Sequence, residues 1–154
     1  MAVAAHVSRV DKSYAPHGWS IMETASATIF TDDASVNKTV CLYIADDADI
    51  YIESITVLAL DEVTESDTNY LTIGCDSAAS GGTDDLPHFA EFTTETIASG
   101  GVGTLAGDTQ YSQTVTNPVV ASGRQLLFYV DYSSSHSSLQ DKQIGVSVRF
   151  RRKA

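Results

Sequence analysis

The carboxylates are the side chains of this sequence best supplied for chemistry. Asp46, Asp47 and Asp49 fall within four residues, and Asp32-Asp33 and Asp84-Asp85 stand as pairs. Calcium takes oxygens from acidic loops of this kind. None of the three follows the spaced Asp/Asn order of an EF-hand loop. Turn formers on a solvated surface give the same composition, so no metal ligand set is assigned. Glu53 and Glu91 fall in strand-like runs. Glycosidases hold two such carboxylates across a cleft, about 5–10 Å apart, but an isolated acid on a strand is more readily accommodated facing water.

Other groups carry less. His6, His17, His88 and His136 are scattered. Ser133-Ser134-Ser135-His136 lacks the Gly-x-Ser-x-Gly elbow of a hydrolase and is expected as a flexible loop. Gly100-Gly101-Val102-Gly103 lacks the Lys-Ser/Thr ending of a phosphate loop and is expected as a mobile hairpin tip. Trp19 and the tyrosines could stack on a sugar ring, or Trp19 could anchor the edge of the core. Asn37-Lys38-Thr39 matches a glycosylation sequon, which has meaning only on a secretory route. No catalytic residue, cofactor or metal is assigned, and an enzyme is not expected.

Composition narrows the classes. The chain has 154 residues, 43% of them hydrophobic, enough for one domain with its own core. No segment approaches the roughly 18 consecutive apolar residues of a membrane helix. The opening residues lack a charged start followed by a long apolar run, so synthesis in a cytoplasm is expected. Cys41 and Cys75 sit in VCLYI and LTIGC, which reads as two buried thiols. They could pair only if their strands were adjacent or face to face. The net charge of −11 argues against a nucleic-acid partner. Arg149, Arg151, Arg152 and Lys153 are four of the nine basic residues, so the rest of the chain, with five bases against 20 acids, carries −15. That basic end is either a contact for an acidic partner or a solvated terminus.

These residues need elements to hold them. Residues 1–16 have little periodicity, end at Ala15-Pro16, and are expected to form an N-terminal arm. Residues 17–154 read as one β domain with a basic C-terminal tail. Strands are expected near Trp19–Phe30, Thr39–Ala45, Ile50–Leu60, Tyr70–Cys75, Glu91–Ile97, Thr109–Val115, Gln125–Tyr132 and Ile144–Phe150. Leu86–Phe92 reads as a short helix, with Asp85 as cap and Pro87 early, or as a strand. No βαβ pattern occurs, so the fold class is all-β, an antiparallel sandwich. Ile144, Val146, Val148 and Phe150 alternate with polar residues, which marks a strand with one wet face. Two other runs are apolar on both faces. Leu58 and Leu60 oppose Ile55, Val57 and Ala59, and Leu127 and Tyr129 oppose Leu126, Phe128 and Val130. The second face must meet the arm or another subunit. Leu58, Leu60, Leu127 and Tyr129 are therefore candidate subunit contacts, and Arg149, Arg151, Arg152 and Lys153 candidate partner contacts.

Two stretches resemble a known class. In IYIESITVLALDEVTESDTNYLTIG, Ile50–Gly74, two β-rich runs flank an acidic loop, with Asp67-Thr68-Asn69 leading into the second. In GRQLLFYVDYSSSHSSLQDKQIGVSVRF two more flank a Ser-rich loop, after a Gly107-Asp108 turn. This order resembles the small jelly-roll proteins that tailed bacteriophages carry as minor parts of the virion, over about two-thirds of the chain. The resemblance implies a jelly roll acting as a capsid decoration (cement) protein or head spike. It also implies solubility before assembly, a homo-oligomer with a trimer favoured, and no cofactor. The partner would be the major capsid protein and the location the head surface. The alternatives are a carbohydrate- or receptor-binding sandwich and a tail or neck component.

Overall fold

The computed structural model describes residues 5–9, 19–32, 36–79 and 85–153. Ten strands form two antiparallel sheets: β1 (Ala5–Arg9), β2 (Trp19–Phe30), β3 (Lys38–Ala45), β4 (Ile50–Ala59), β5 (Leu71–Ala79), β6 (Asp85–Thr93), β7 (Thr109–Gln113), β8 (Val119–Val120), β9 (Arg124–Tyr132) and β10 (Gln143–Lys153). One sheet has the order β1-β2-β10-β4-β7, with β8 also on β4; the other is β3-β9-β5-β6. The chain changes sheet after β2, β3, β4, β6, β8 and β9. With β1 and β8 set aside, eight strands remain as two four-stranded sheets of jelly-roll order. The expected all-β sandwich is the fold observed.

Period-two alternation builds the core. In register across the first sheet run Ala25–Val148–Ile55, Ala27–Val146–Val57 and Ile29–Ile144–Ala59. Across the second run Val40–Phe128–Cys75–Ala90 and Val130–Ile73–Phe92. Phe128, Phe150, Ile55, Ile73 and Ile144 are fully or almost fully buried between the sheets. Two bulges keep these patterns in phase. Glu53 has no partner between the pairs Arg149–Ser54 and Phe150–Ile52, so Ile50 and Ile52 face the core together with Ile55 and Val57. A second bulge between Cys41 and Tyr43 turns both Leu42 and Tyr43 toward the core.

Some elements differ from expectation. Asp85–Thr93 is a strand throughout, and no helix forms over Leu86–Phe92. It lies at a sheet edge, where the missing N–H of Pro87 is tolerated. Residues 94–97 lie beyond its end, and β5 runs four residues past Cys75 to Ala79. Of the stretch 1–16, Ala5–Arg9 forms β1, paired along β2 from Ala5–Ala27 to Arg9–Glu23; the remainder lies outside the described residues. The basic end is the last part of β10, paired on both sides, rather than a free tail. Cys41 and Cys75 are free; β9 separates their strands, which excludes a disulfide between them.

Phe150 is fully buried, and the Tyr43 ring packs on it from the other sheet at 4.6 Å between centroids. Phe150→Ala is expected to lower stability by about 3–5 kcal/mol in urea unfolding, through lost transfer energy and the cavity left behind. A loss below about 1 kcal/mol would mean that Phe150 is not in the core.

Candidate functional site

The four candidate subunit contacts do not come together. Leu58 lies half-buried on the outer face of the first sheet. A shallow depression of about 320 Å³ opens there. Thr28, Gly145 and Leu58 form one cross-strand row in it, and Ser26, Ser147 and Thr56 the next. Leu60 follows β4, also half-buried. Leu127 and Tyr129 belong to the other sheet, facing away from the core formed by Leu126, Phe128 and Val130. They are 5% and 3% exposed within the single chain, which removes them as an open contact face. Part of the reason is Gly74: a Cβ there would lie 2.3 Å from the Tyr129 hydroxyl, so the phenol fills space that only glycine leaves free. The hydroxyl donates to the Glu91 carboxylate. Burial and that carboxylate push the Tyr129 phenol far above its usual range. Glu91 is thereby tied to Tyr129 rather than set across a cleft from Glu53. Alternation predicted the outward facing of Leu127 and Tyr129 but held no information about what covers them.

The basic residues of β10 are mostly engaged inside the chain. Arg151 Nε lies 2.8 Å from Glu53, the residue that the bulge leaves without a strand partner. Lys153 Nζ lies 3.6 Å from Asp49. Arg152 donates to the Tyr43 hydroxyl at 2.6 Å and approaches Glu23 at 3.4 Å. Its guanidinium carbon is 5.5 Å from the Tyr43 ring centroid. Glu23 is 4% exposed, so Arg152 compensates a buried carboxylate while joining the two sheets. Arg149 points out and is exposed.

Polar residues read above as loops or turns are tied down. Asp49 accepts from the Ser122 N–H at 2.9 Å, which gives it a structural task in the Asp46–Asp49 turn. Among the described residues no group of three or more His, Cys, Asp or Glu is placed to hold a metal; Asp33 and Asp84 lie outside them. The Ser-rich run is hydrogen-bonded: Ser133 donates to Thr68 O and accepts from Tyr70 N–H, Ser134 donates to Asn69, and the His136 ring accepts from Ser138 N–H. Asn37, of the sequon, accepts from Tyr132 N–H.

One end of the sandwich gathers residues 31–32 and 36–37 with the connections 60–70, 94–108 and 133–142. Thr31 bonds Asp141 and Lys142, Val63 pairs with Leu105, and Ser66 N–H donates to Thr94 O. The Gly-rich stretch expected as a hairpin tip instead crosses between sheets, because β6 and β7 belong to different ones. It is closed by internal bonds. Ser99 and Gly101 N–H donate to Thr96 O, Val102 N–H to Thr93 O, and Gly103 N–H to Glu95 O. Gly100, at φ 96°, ends a short 3-10 turn, Ile97–Ser99. A Cβ on Gly101 would lie 2.3 Å from Glu95 O, so only glycine allows this fold-back. Asp67 accepts from both the N–H (3.2 Å) and hydroxyl (2.6 Å) of Thr96 and fixes the loop's entry. These bonds hold the Asp67 carboxyl below its ordinary value, with the Thr96 hydroxyl as the largest cause. At the tip Ile97 is 74% exposed and Val102 41%. Neither was singled out from sequence. The available signal was two aliphatic residues in a turn, Ile97 three residues before Gly100-Gly101 and Val102 directly after it.

No protein-family model matches the sequence, and no curated protein matches it. Solved structures share its architecture. A chain in the acidic stable capsid structure of Helicobacter pylori bacteriophage KHP30 superposes with a TM-score of 0.52 at 6% identity, over 98% of this chain and 95% of that one. The two chains are thus of nearly equal length and share the fold. A CocE/NonD family hydrolase from Staphylococcus aureus aligns at 10% identity and TM-score 0.40, over 97% of this chain but 36% of its own. At that score the second likeness carries no argument.

Two outcomes follow. Arg152→Met should cost about 2 kcal/mol in chemical unfolding, because Glu23 stays buried without its cation. Adding Glu23→Gln should recover part of that loss; equal losses in single and double variants would refute the pairing. For Asp67 the folded carboxyl titrates below the unfolded one, so its anchoring is fully present above about pH 4 and is lost as pH falls through the lower folded value. Hydrogen exchange corrected for intrinsic rates should show the Thr96 amide losing protection in that window. Asp67→Asn should remove most of this pH dependence.

Proposed function

We propose that this chain is a structural protein of a bacteriophage virion, a decoration protein that binds the outer surface of the head and stabilises it non-covalently. The observation that supports it most is the overlap with a phage capsid structure over nearly the whole of both chains. That alignment leaves little of either chain over. The physical features agree with this reading. A sandwich with small, hydrogen-bonded connections offers fixed surfaces. The acidic charge keeps free copies apart before assembly. The task asks for contact area and no reaction. A standard interface of roughly 800 Å² per partner is about a tenth of this chain's surface of 7856 Å². Repetition over a symmetric shell makes modest contact energies collective. The partner in this reading is the major capsid protein, and a trimer on the shell is the favoured assembly. Leu58, in the depression on the outer sheet face, and Leu60 are the expected subunit contacts that remain partly exposed.

The test uses purified protein and phage heads lacking it. Saturable binding is expected, together with a raised temperature of head disruption, and native mass should report a trimer. Absence of binding to any head form, with tight binding to a glycan array, would move the assignment to a receptor-binding module.

A further inference from the structure

The loop between β6 and β7 exposes an apolar tip while its backbone is held by its own hydrogen bonds. Among the described residues Ile97 is the most exposed of the large hydrophobic ones, at 74%, and Val102 lies in the same loop at 41%. An aliphatic side chain left in water on a mobile loop is unremarkable. On a loop fixed by five backbone bonds, by Asp67, and by a glycine that admits no Cβ, it is presented in one orientation. Such a tip binds with little further ordering cost.

The surroundings of the tip give the chemistry of its partner. The Glu65 carboxylate and the Ile97 side chain flank Gly103 together, at 2.9 and 3.3 Å from where a Cβ would stand. Glu62 and Asp67 lie on the adjoining 60–70 connection, which the Asp67–Thr96 and Val63–Leu105 contacts bind to this loop. Glu95 immediately precedes the loop. Among the described residues none of these four carboxylates is ion-paired with a base. Residues 39–123 contain 14 acidic residues and no lysine or arginine. A second copy of this chain offers few bases to match, with Arg149 exposed on the outer sheet face and Lys142 half-buried. Lys38, Arg151, Arg152 and Lys153 already face Asp32, Glu53, Glu23 and Asp49. Arg124 is spent on Ser77.

The geometry points to the Thr96–Gly103 loop as a preformed plug that seats Ile97 and Val102 in an apolar socket, rimmed by lysine or arginine, on a different protein. This rests on the proposed function and deepens it: the socket belongs to the shell subunit. Apolar contact supplies the affinity, and the acidic rim supplies orientation and rate.

Heads lacking the protein are titrated with wild type, Ile97→Ser, Glu62→Gln/Glu65→Gln and, at the opposite end of the sandwich, Val119→Ser. Val119 is also an exposed aliphatic residue, at 48%. Ile97→Ser should weaken binding by about tenfold to a hundredfold while leaving thermal unfolding unchanged. Val119→Ser should bind as wild type does. The double glutamine variant should bind with a smaller dependence on salt than wild type. Ile97→Ser binding as tightly as wild type would overturn the plug and leave the decoration reading standing. Wild type failing to bind heads would overturn both. A change in the native mass of free Ile97→Ser would make a second copy the occupant and overturn the assignment to a different protein.

Discussion

The fold depends on two strands being buried at the centre of their sheets, β9 in one and β10 in the other. They are consecutive in sequence, yet each inserts between strands formed far earlier: β10 between β2 and β4, β9 between β3 and β5. Their inner faces supply Leu126, Phe128, Val130, Ile144, Val146, Val148 and Phe150 to the core. Neither sheet is continuous without them. Pairings such as Ile29 with Ile144 and Ile73 with Val130 close long loops before any burial rewards the closure. A topology of this kind folds slowly and late, once the last part of the chain is present. β10 also ends in Arg151, Arg152 and Lys153 beside acidic strands and turns, so the strand that completes the core neutralises carboxylates at its rim.

What the sequence disclosed follows from where physics is local. The one-sided alternation of Ile144–Phe150 and the doubly apolar pattern of Gln125–Tyr132 are properties of single strands, and both strands are where alternation put them. Asp108, in the Gly107-Asp108 turn, and Asn117 adopt positive φ, a conformation that Asp and Asn tolerate at turns. The failures are questions of neighbourhood. Pro87 near an acidic residue reads as a helix start, but an edge strand uses the same proline for a different reason. β8 is two residues long, too short for any period to show. Leu127 and Tyr129 face outward as read, and only the arrangement of neighbouring strands, with Gly74 beside Tyr129, reveals that they are not a free surface.

The basic terminus and the Gly-rich loop exchange roles for a related reason. A run of four cations in five residues looks like an interaction site, and a run of glycines looks like slack. Each assignment takes a residue's intrinsic character for its situation. In the fold the guanidinium of Arg152 is held between Glu23 and the Tyr43 hydroxyl, whereas the glycines permit a close backbone turn that their neighbours then lock. Glycine costs conformational entropy on folding, and here that cost secures an approach to Glu95 O that any side chain would block.

The resulting molecule is electrically lopsided along the sandwich. At the end holding Asp49 and Lys153, acids and bases meet in pairs. At the other end Glu62, Glu65, Asp67 and Glu95 surround the tip of the β6–β7 connection and face no base among the described residues. Two such ends repel, so the exposed aliphatic side chains of one copy are kept from those of another by the charges around them. The same charges favour approach to any surface of opposite sign. On the reading proposed above, an apolar tip can therefore be carried openly, because the rim would discriminate before the tip makes contact.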